Sequence, residues 1–291
     1  MSEKKSETIQ LPVNYSGKID NSDQKPSVRT YILESDEKLP MVIVCPGGGY
    51  EHLSERESEP VAKKMNALGF HSMVLSYSLA PMEFPAAMCD LAEAVALARQ
   101  HSDDWNVDAG RIIVCGFSAG GHLAASLGCY WNSGILQDLL PYSPEETRPN
   151  YLVLCYPVVT SDINFCHEDS IRNVLGKNNL DEREFVSIEE HIDDNFPPAF
   201  IWHTTEDESV PMENSFRLAA ALRGCGIPFE YHLFERGCHG LALATPKTAK
   251  SDGSCQEREC STWPELFRNW FEGRPENRAK LEKKSKKNKE K

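Results

Sequence analysis

A serine lies among glycines in residues 114–126, "VCGFSAGGHLAAS". The stretch contains the pattern G-x-S-x-G, centred on Ser118, between an apolar run and an Ala-rich run. A strand that turns sharply into a helix exposes such a hydroxyl at the carboxyl end of a sheet, and the glycines let both elements approach closely. The pattern alone indicates only a tight turn, but this context favours Ser118 as a nucleophile.

A nucleophilic serine needs a general base, and His239 is the candidate among nine histidines. It follows the last apolar run, in "FERGCHGLALA", and glycines flank its loop. His203 and His232 fall inside predicted strands, and His122 lies in the helix after Ser118, where we expect it to point sideways. A base on a late loop is therefore predicted at His239.

An acid that orients the histidine is expected between serine and histidine in chain order. Asp207 directly follows the apolar run "AFIWHT", and Glu206 and Glu208 are its neighbours and rivals. Any one of these acids could instead be a solvated surface charge. Position at a strand end and chain order favour the sequence Ser118, Asp207, His239.

Acyl transfer also needs donors for the oxyanion, and three glycines in "VCPGGGYEH" (residues 44–52) follow an earlier apolar run. Alone this loop would be interpreted as a flexible turn. Beside a nucleophilic turn, the N–H groups of Gly48 and Gly49, together with that of Ala119, are predicted to form an oxyanion hole. Such chemistry requires no metal or organic cofactor.

The composition is typical of a globular protein, with 291 residues that are 40% hydrophobic and 26% charged. No apolar run approaches the roughly 18 residues that cross a bilayer, and the charged start lacks a signal core, so we expect a cytoplasmic protein. The ten cysteines are expected to be reduced, with Cys45, Cys115 and Cys155 as core residues. The sequence contains no C-x-x-C pair of the kind that would indicate a metal site. The net charge of −13 argues against nucleic acid as a partner.

Apolar runs alternate with helical patterns, which predicts a mostly parallel sheet with helices on both faces. We expect a single domain over residues 1–273, closed by a helix over 262–273. The polar insertion 157–196 is predicted to border the acyl or alcohol pocket. The basic segment 274–291 is predicted to be disordered and dispensable. The predicted strands are 30–33, 41–45, 71–77, 111–115, 151–156, 199–204 and 229–234.

Four segments together resemble the α/β-hydrolases of the hormone-sensitive-lipase-like, acetyl-xylan-esterase-like group of bacterial esterases. They are "CPGGGY", "GFSAGGHLAA", "WHTTEDESVP" and "GCHGLALA", and the similarity covers roughly residues 40–271. The resemblance implies the α/β-hydrolase fold and assigns the acid to Asp207, which precedes x-x-Val-Pro. Lipase-like relatives often have His before the three glycines, where this chain has Pro46, which favours the sugar-esterase branch.

The resemblance implies a serine esterase that hydrolyses short-acyl esters, such as acetylated sugars or oligosaccharides, through an acyl-enzyme. The polar insertion also argues against an interfacial lipase lid, so short acyl esters are expected to react faster than long ones. Two alternatives remain. One is a serine peptidase of the prolyl-oligopeptidase type, and the other is a non-catalytic binding protein on the hydrolase fold.

Overall fold

A nine-stranded β-sheet forms the centre of the computed structural model, which describes residues 3–176 and 178–280. A two-stranded ribbon near the amino end is separate from this sheet. The strands are β1 (Glu3–Lys5), β2 (Thr8–Gln10), β3 (Asn14–Tyr15), β4 (Ile19–Asp20), β5 (Ser27–Leu33), β6 (Leu39–Cys45), β7 (His71–Ser76), β8 (Val107–Phe117), β9 (Tyr151–Cys155), β10 (Ala199–Thr204) and β11 (Phe229–Phe234).

The strand order of the large sheet is β1-β5-β7-β6-β8-β9-β10-β11, and β2 also pairs with β5. From β7 to β11 in this order, every pairing is parallel. Antiparallel pairing is confined to the edge that holds β1, β2 and β5. Each predicted apolar run coincides with one of these strands, although 71–77 and 151–156 extend one residue beyond β7 and β9. The prediction of a mostly parallel sheet is confirmed.

Helices cover both faces of the sheet, and their ranges are α1 (Glu59–Ala67), α2 (Ala86–Gln100), α3 (Ala119–Tyr130), α4 (Gly134–Gln137), α5 (Pro144–Thr147), α6 (Glu168–Leu175), α7 (Glu213–Gly224) and α8 (Trp263–Gly273). Helices α2, α3 and α7 pack on the face that includes Met41 and Ile43. Helices α1 and α8 pack on the face that includes Val42 and Val44. Successive side chains of a buried strand thus enter opposite cores, which explains why its sequence is continuously apolar.

The predicted site residues all follow the carboxyl ends of parallel strands. Gly48 and Gly49 follow β6, and Ser118 directly follows β8. Asp207 follows β10, and His239 follows β11. Because parallel strands end at the same edge of a sheet, the fold brings these four loops together.

The insertion 157–196 begins just after β9 and contains α6 and two short 3₁₀ turns, at Leu180–Val186 and Ile188–Glu190. It therefore starts on the same edge of the sheet as the predicted site. Ile188 and Ile171 are buried in the core, so the segment is packed onto the domain despite its polar sequence.

The carboxyl-terminal part of the fold extends beyond the predicted boundary at residue 273. Helix α8 docks on the sheet as expected, but residues 275–280 are also helical. Asn277 is only 2% exposed and donates to the Phe271 carbonyl oxygen at 2.9 Å, while Glu276 accepts from the Tyr151 hydroxyl at 2.8 Å. The prediction of a disordered segment is thus wrong for 274–280, because tertiary contacts order a polar sequence. Residues 281–291 lie outside the described residues.

The cysteines differ from the expectation in one pair. Cys238 and Cys255 form a disulfide across 17 residues of sequence. Cys45, Cys115 and Cys155 are free and buried, as predicted, and burial raises the pKa of the Cys45 and Cys155 thiols. The prediction that all ten are reduced is therefore wrong for Cys238 and Cys255, whose pairing depends on the path of the loop between them.

We predict that truncation after Gly273 destabilises the protein, because it removes the hydrogen bonds of Glu276 and Asn277. With each bond worth about 1 kcal/mol, the melting temperature should fall by about 4–8 °C. Truncation after Lys280 is the matched control and should leave the melting temperature unchanged. Equal melting temperatures for both truncated proteins and the full chain would contradict this assignment.

Candidate active site

Ser118 occupies a sharp turn between β8 and α3, with φ 53° and ψ −118°. A Cβ atom on Gly116 would lie 2.1 Å from the carbonyl oxygen of Gly120, and one on Gly120 would lie 2.1 Å from that of Cys45. Glycine is therefore required at both positions for strand and helix to approach this closely. The G-x-S-x-G pattern thus has the conformation that exposes a serine hydroxyl above a sheet.

Ser118, His239 and Asp207 are hydrogen-bonded in that order. The Ser118 hydroxyl donates to Nε2 of His239 at 2.7 Å, and Nδ1 of His239 donates to Oδ2 of Asp207 at 2.6 Å. Ser118 and Asp207 are only 7% and 6% exposed. An imidazole held in this tautomer by a buried carboxylate can accept a proton from the serine.

The Asp207 carboxylate is surrounded by donors. Its Oδ1 accepts from the backbone N–H groups of Ser209 and Val210, at 3.0 and 2.9 Å. Its Oδ2 accepts from both His239 and His203. Burial by itself raises the pKa of Asp207, but the bonds from His203 and His239 outweigh it and hold that pKa well below its usual range. Asp207 therefore remains charged where it faces His239.

The two neighbouring glutamates have other positions. Glu206 accepts from the backbone N–H of Gly237 at 3.0 Å, which anchors the start of the His239 loop. Glu208 lines the cleft beside the site. Among residues 3–176 and 178–280, Asp207 is the carboxylate that accepts from His239.

His203 is a contact of the acid that sequence reasoning missed. It lies in β10, as predicted, and its ring contacts the loop that follows the strand. Nε2 donates to the Val210 carbonyl oxygen at 2.9 Å and to Asp207 at 3.2 Å, while Nδ1 accepts from the Ser215 hydroxyl at 2.6 Å. A histidine inside an apolar run gives no signal of such a contact. His122, by contrast, points away, between the Tyr50 hydroxyl and the Val186 carbonyl oxygen.

The predicted oxyanion donors come from the glycine loop and from the residue that follows Ser118. Gly48 and Gly49 line the same cleft as Ser118 and have φ values of 128° and 65°. Ala119 begins α3, so its N–H is one of the helix donors without an intrahelical partner. Within the described part of the chain, the N–H groups of Gly48, Gly49 and Ala119 have no acceptor. They are free to bind an oxygen that carries negative charge.

Glu57 joins the glycine loop to the loop of His239. It is 3% exposed, and its carboxylate accepts from the Gly47 N–H at 2.8 Å and from the Tyr156 hydroxyl at 2.7 Å. The Tyr156 oxygen in turn accepts from the Ala242 N–H at 2.8 Å, and the Tyr156 ring lies 5.1 Å from that of His239. Sequence reasoning missed both residues, because "SERES" around Glu57 is indistinguishable from a solvated turn.

A cleft of about 870 Å³ opens above these residues. The insertion 157–196 contributes His167, Asp169 and Asn173 to its lining, so this segment borders the cleft. Most of the other side chains around it are polar or charged, and they include Glu51, His52, Arg56, Glu208, Ser209 and Lys250.

Two further observations apply to residues 3–176 and 178–280 only. No group of three or more His, Cys, Asp or Glu side chains there is arranged to hold a metal ion. No helix there combines the length and apolar character needed to cross a bilayer.

The glycine loop, the turn at Ser118 and the Asp207 loop all fall within residues 31–222, which match a model of the BD-FAE family. The chain belongs to this family. The matched residues end before His239. The hydrogen bonds of His239 to Ser118 and Asp207 are therefore seen in the structure and not in the family match of this BD-FAE chain.

The chain is similar to endo-1,4-beta-xylanase B of Butyrivibrio fibrisolvens, with 37% identity over 225 residues that cover 75% of this chain and 35% of that protein. It is also similar to the acetylxylan esterase of Xylanibacter ruminicola, with 28% identity over 70% of this chain and 41% of that protein. The BD-FAE chain thus spans only about a third to two fifths of the length of these relatives.

Among solved structures, the chain resembles an acetyl ester-xyloside bifunctional hydrolase from Caldicellulosiruptor lactoaceticus. The TM-score is 0.76 at 38% identity, over 90% of this chain and 96% of that one. The BD-FAE chain has the α/β-hydrolase fold. The predicted relationship to acetyl-xylan-esterase-like esterases is confirmed.

We predict that Glu57→Gln destabilises the protein, because an amide places a donor against either the Gly47 N–H or the Tyr156 hydroxyl. One buried donor then loses its acceptor, which should lower the free energy of unfolding by about 1–3 kcal/mol. Chemical denaturation measures this change. Glu51→Gln, at an exposed position on the same cleft, is the control and should have no effect. An unaltered stability of Glu57→Gln would refute the proposed link between the two loops.

Proposed function

We propose that this chain is a serine carboxylic-ester hydrolase that acts through an acyl-enzyme on short-acyl esters. Ser118 is the nucleophile, His239 the general base and acid, and Asp207 the residue that orients the histidine. The observation that carries the proposal is the hydrogen-bonded order of these three side chains, with distances of 2.7 and 2.6 Å, at the base of a polar cleft.

The first half of the reaction transfers the acyl group to the enzyme. The Ser118 oxygen attacks the ester carbonyl carbon while its proton moves to Nε2 of His239. Asp207 stabilises the resulting imidazolium through its bond to Nδ1. The carbonyl oxygen becomes an oxyanion, and the N–H groups of Gly48, Gly49 and Ala119 donate to it. The tetrahedral intermediate collapses when His239 returns the proton to the leaving alcohol oxygen.

The second half repeats these steps with water. His239 accepts a proton from a water molecule, whose oxygen attacks the acyl carbon. The same donors hold the second oxyanion, and the proton on Nε2 passes to the Ser118 oxygen as the carbon–oxygen bond breaks. One ester and one water thus give one carboxylic acid and one alcohol, and Ser118 is restored.

Acetylated sugars are the substrate class that the cleft suits best. Its lining is dominated by polar side chains, which can hydrogen-bond to the hydroxyl groups of a carbohydrate. The names of the similar proteins point the same way, since one is an acetylxylan esterase and another an acetyl ester-xyloside hydrolase. A short acyl group is expected, because the side chains that line this cleft in residues 3–176 and 178–280 are mostly polar.

The compartment remains a prediction. A cytoplasmic location is expected from the sequence.

We predict that Ser118→Ala abolishes hydrolysis of p-nitrophenyl acetate and of an acetylated xyloside, with a loss of about 10⁴–10⁶ in kcat. The loss follows from removing the attacking oxygen. The melting temperature should stay near that of the wild type, which shows that the fold is intact. A variant with a tenth of the wild-type turnover would rule out Ser118 as the nucleophile.

We predict that Asp207→Asn lowers kcat by about 10⁴, because the amide favours the wrong tautomer of His239. Glu206→Gln and Glu208→Gln are the matched controls, since the same change of group is made at the neighbouring positions. Both should retain most of the activity toward p-nitrophenyl acetate. A severe loss in either control, with a mild one in Asp207→Asn, would reassign the acid.

A further inference from the structure

His167 lies in the cleft but takes no part in the proposed reaction. It stands at the amino end of α6, within the insertion, and its ring caps that helix. Nδ1 lies 3.3 Å from the backbone nitrogen of Ser170 and 2.9 Å from the Ser170 hydroxyl. Nδ1 of the ring thus bonds to its own helix, while Nε2 is available for another partner.

The bond from Ser170 determines where the ring proton is. A backbone N–H can only donate, so Nδ1 of His167 is the acceptor and the neutral ring has its proton on Nε2. Burial first, and then the proximity of His239, lower the pKa of His167, which keeps the ring neutral. No acceptor for this Nε2–H is found in the described part of the chain, so a donor in a defined tautomer is left over.

The ring lies against the glycine loop. Its Cε1 atom is 3.9 Å from the position that a Cβ on Gly49 would occupy, and Asn173 of the same helix donates to the Gly49 carbonyl oxygen at 2.8 Å. The N–H of Gly49 is one of the donors assigned to the oxyanion. The unused donor of His167 therefore lies beside the glycine loop, on the side of the cleft that the insertion lines.

The size of the cleft indicates which part of the ester meets this donor. An acetyl group fills only a small part of about 870 Å³, so most of the cleft is available to the alcohol part of the substrate. The oxyanion already has three backbone donors. A side-chain donor that extends from the insertion is thus placed for an oxygen of the alcohol part.

We propose that His167 is a specificity-determining residue whose Nε2–H donates to a hydroxyl or ring oxygen in the alcohol part of the ester. The residue thereby favours esters of polyols, such as acetylated sugars, over esters of apolar alcohols. This inference rests on the proposed function, because it presumes that Ser118 reacts with an ester in this cleft.

His167→Asn separates this role from helix capping. The Asn side-chain oxygen can accept from the Ser170 N–H and is a preferred helix cap, but the residue has no group at the position of Nε2. The measured quantity is the ratio of kcat/KM for acetylated methyl xyloside to kcat/KM for p-nitrophenyl acetate. This ratio should fall about tenfold in His167→Asn, mainly through a higher KM for the xyloside, while the melting temperature stays at the wild-type value.

His167→Gln tests the two roles in the opposite way, since it keeps a donor and loses the helix cap. Its side-chain amide can place an N–H near the former Nε2 position but caps the helix poorly, so the ratio should recover while the melting temperature falls. His191→Asn, in the same insertion but outside the cleft lining, is the control and should leave the ratio unchanged. A purely structural role for His167 predicts the reverse, with Asn like the wild type and Gln impaired equally on both esters.

The outcomes distinguish the two proposals. If the wild type hydrolyses both esters in a Ser118-dependent manner and His167→Asn leaves the ratio unchanged, this inference is wrong and the proposed function stands. An equal loss on both esters also overturns it, because the donor would then act on the shared acyl part. If neither ester is hydrolysed, or Ser118→Ala retains the activity, both proposals fail.

Discussion

The close backbone contact at Ser118 is the constraint on which the rest of the site depends. Ser118 is held at positive φ, a conformation that costs about 1–3 kcal/mol and persists only where the surroundings impose it. The surroundings are the backbones of Gly116 and Gly120, packed against each other and against Cys45. Because the glycine loop begins directly after Cys45, the contact that fixes Ser118 also fixes the glycine loop beside it.

Local sequence patterns were sufficient to predict strands β5 to β11 and the three triad candidates. The continuous apolar runs of β6, β8, β9 and β10 reflect burial on both faces, and such runs are recognised without knowledge of any partner. The glycines around Ser118 and His239 mark turns that only glycine permits. Strand order could not be obtained in this way, but it was not needed, because all parallel strands end at the same edge of the sheet.

Features that depend on distant partners could not be predicted. Glu57 is buried only because Gly47 and Tyr156, the latter 99 residues away, supply its donors. Residues 275–280 have no large apolar side chain, and their order depends on contacts of Asn277 and Glu276 with α8 and β9. The cysteine pair has the same origin, since its spacing follows no local motif. In each case the sequence near the residue indicates a solvated surface.

Asp207 shows how a local motif can encode a buried charge. Its Oδ1 accepts from the N–H groups two and three residues later, a turn that an aspartate side chain is short enough to close on itself. That turn leaves Oδ2 directed at His239 and His203. Glu206 and Glu208, at the neighbouring positions, extend to the Gly237 N–H and to the cleft instead. The turn from Asp207 to Val210 therefore fixes the position of this buried carboxylate, and the two imidazoles compensate the cost of burying its charge.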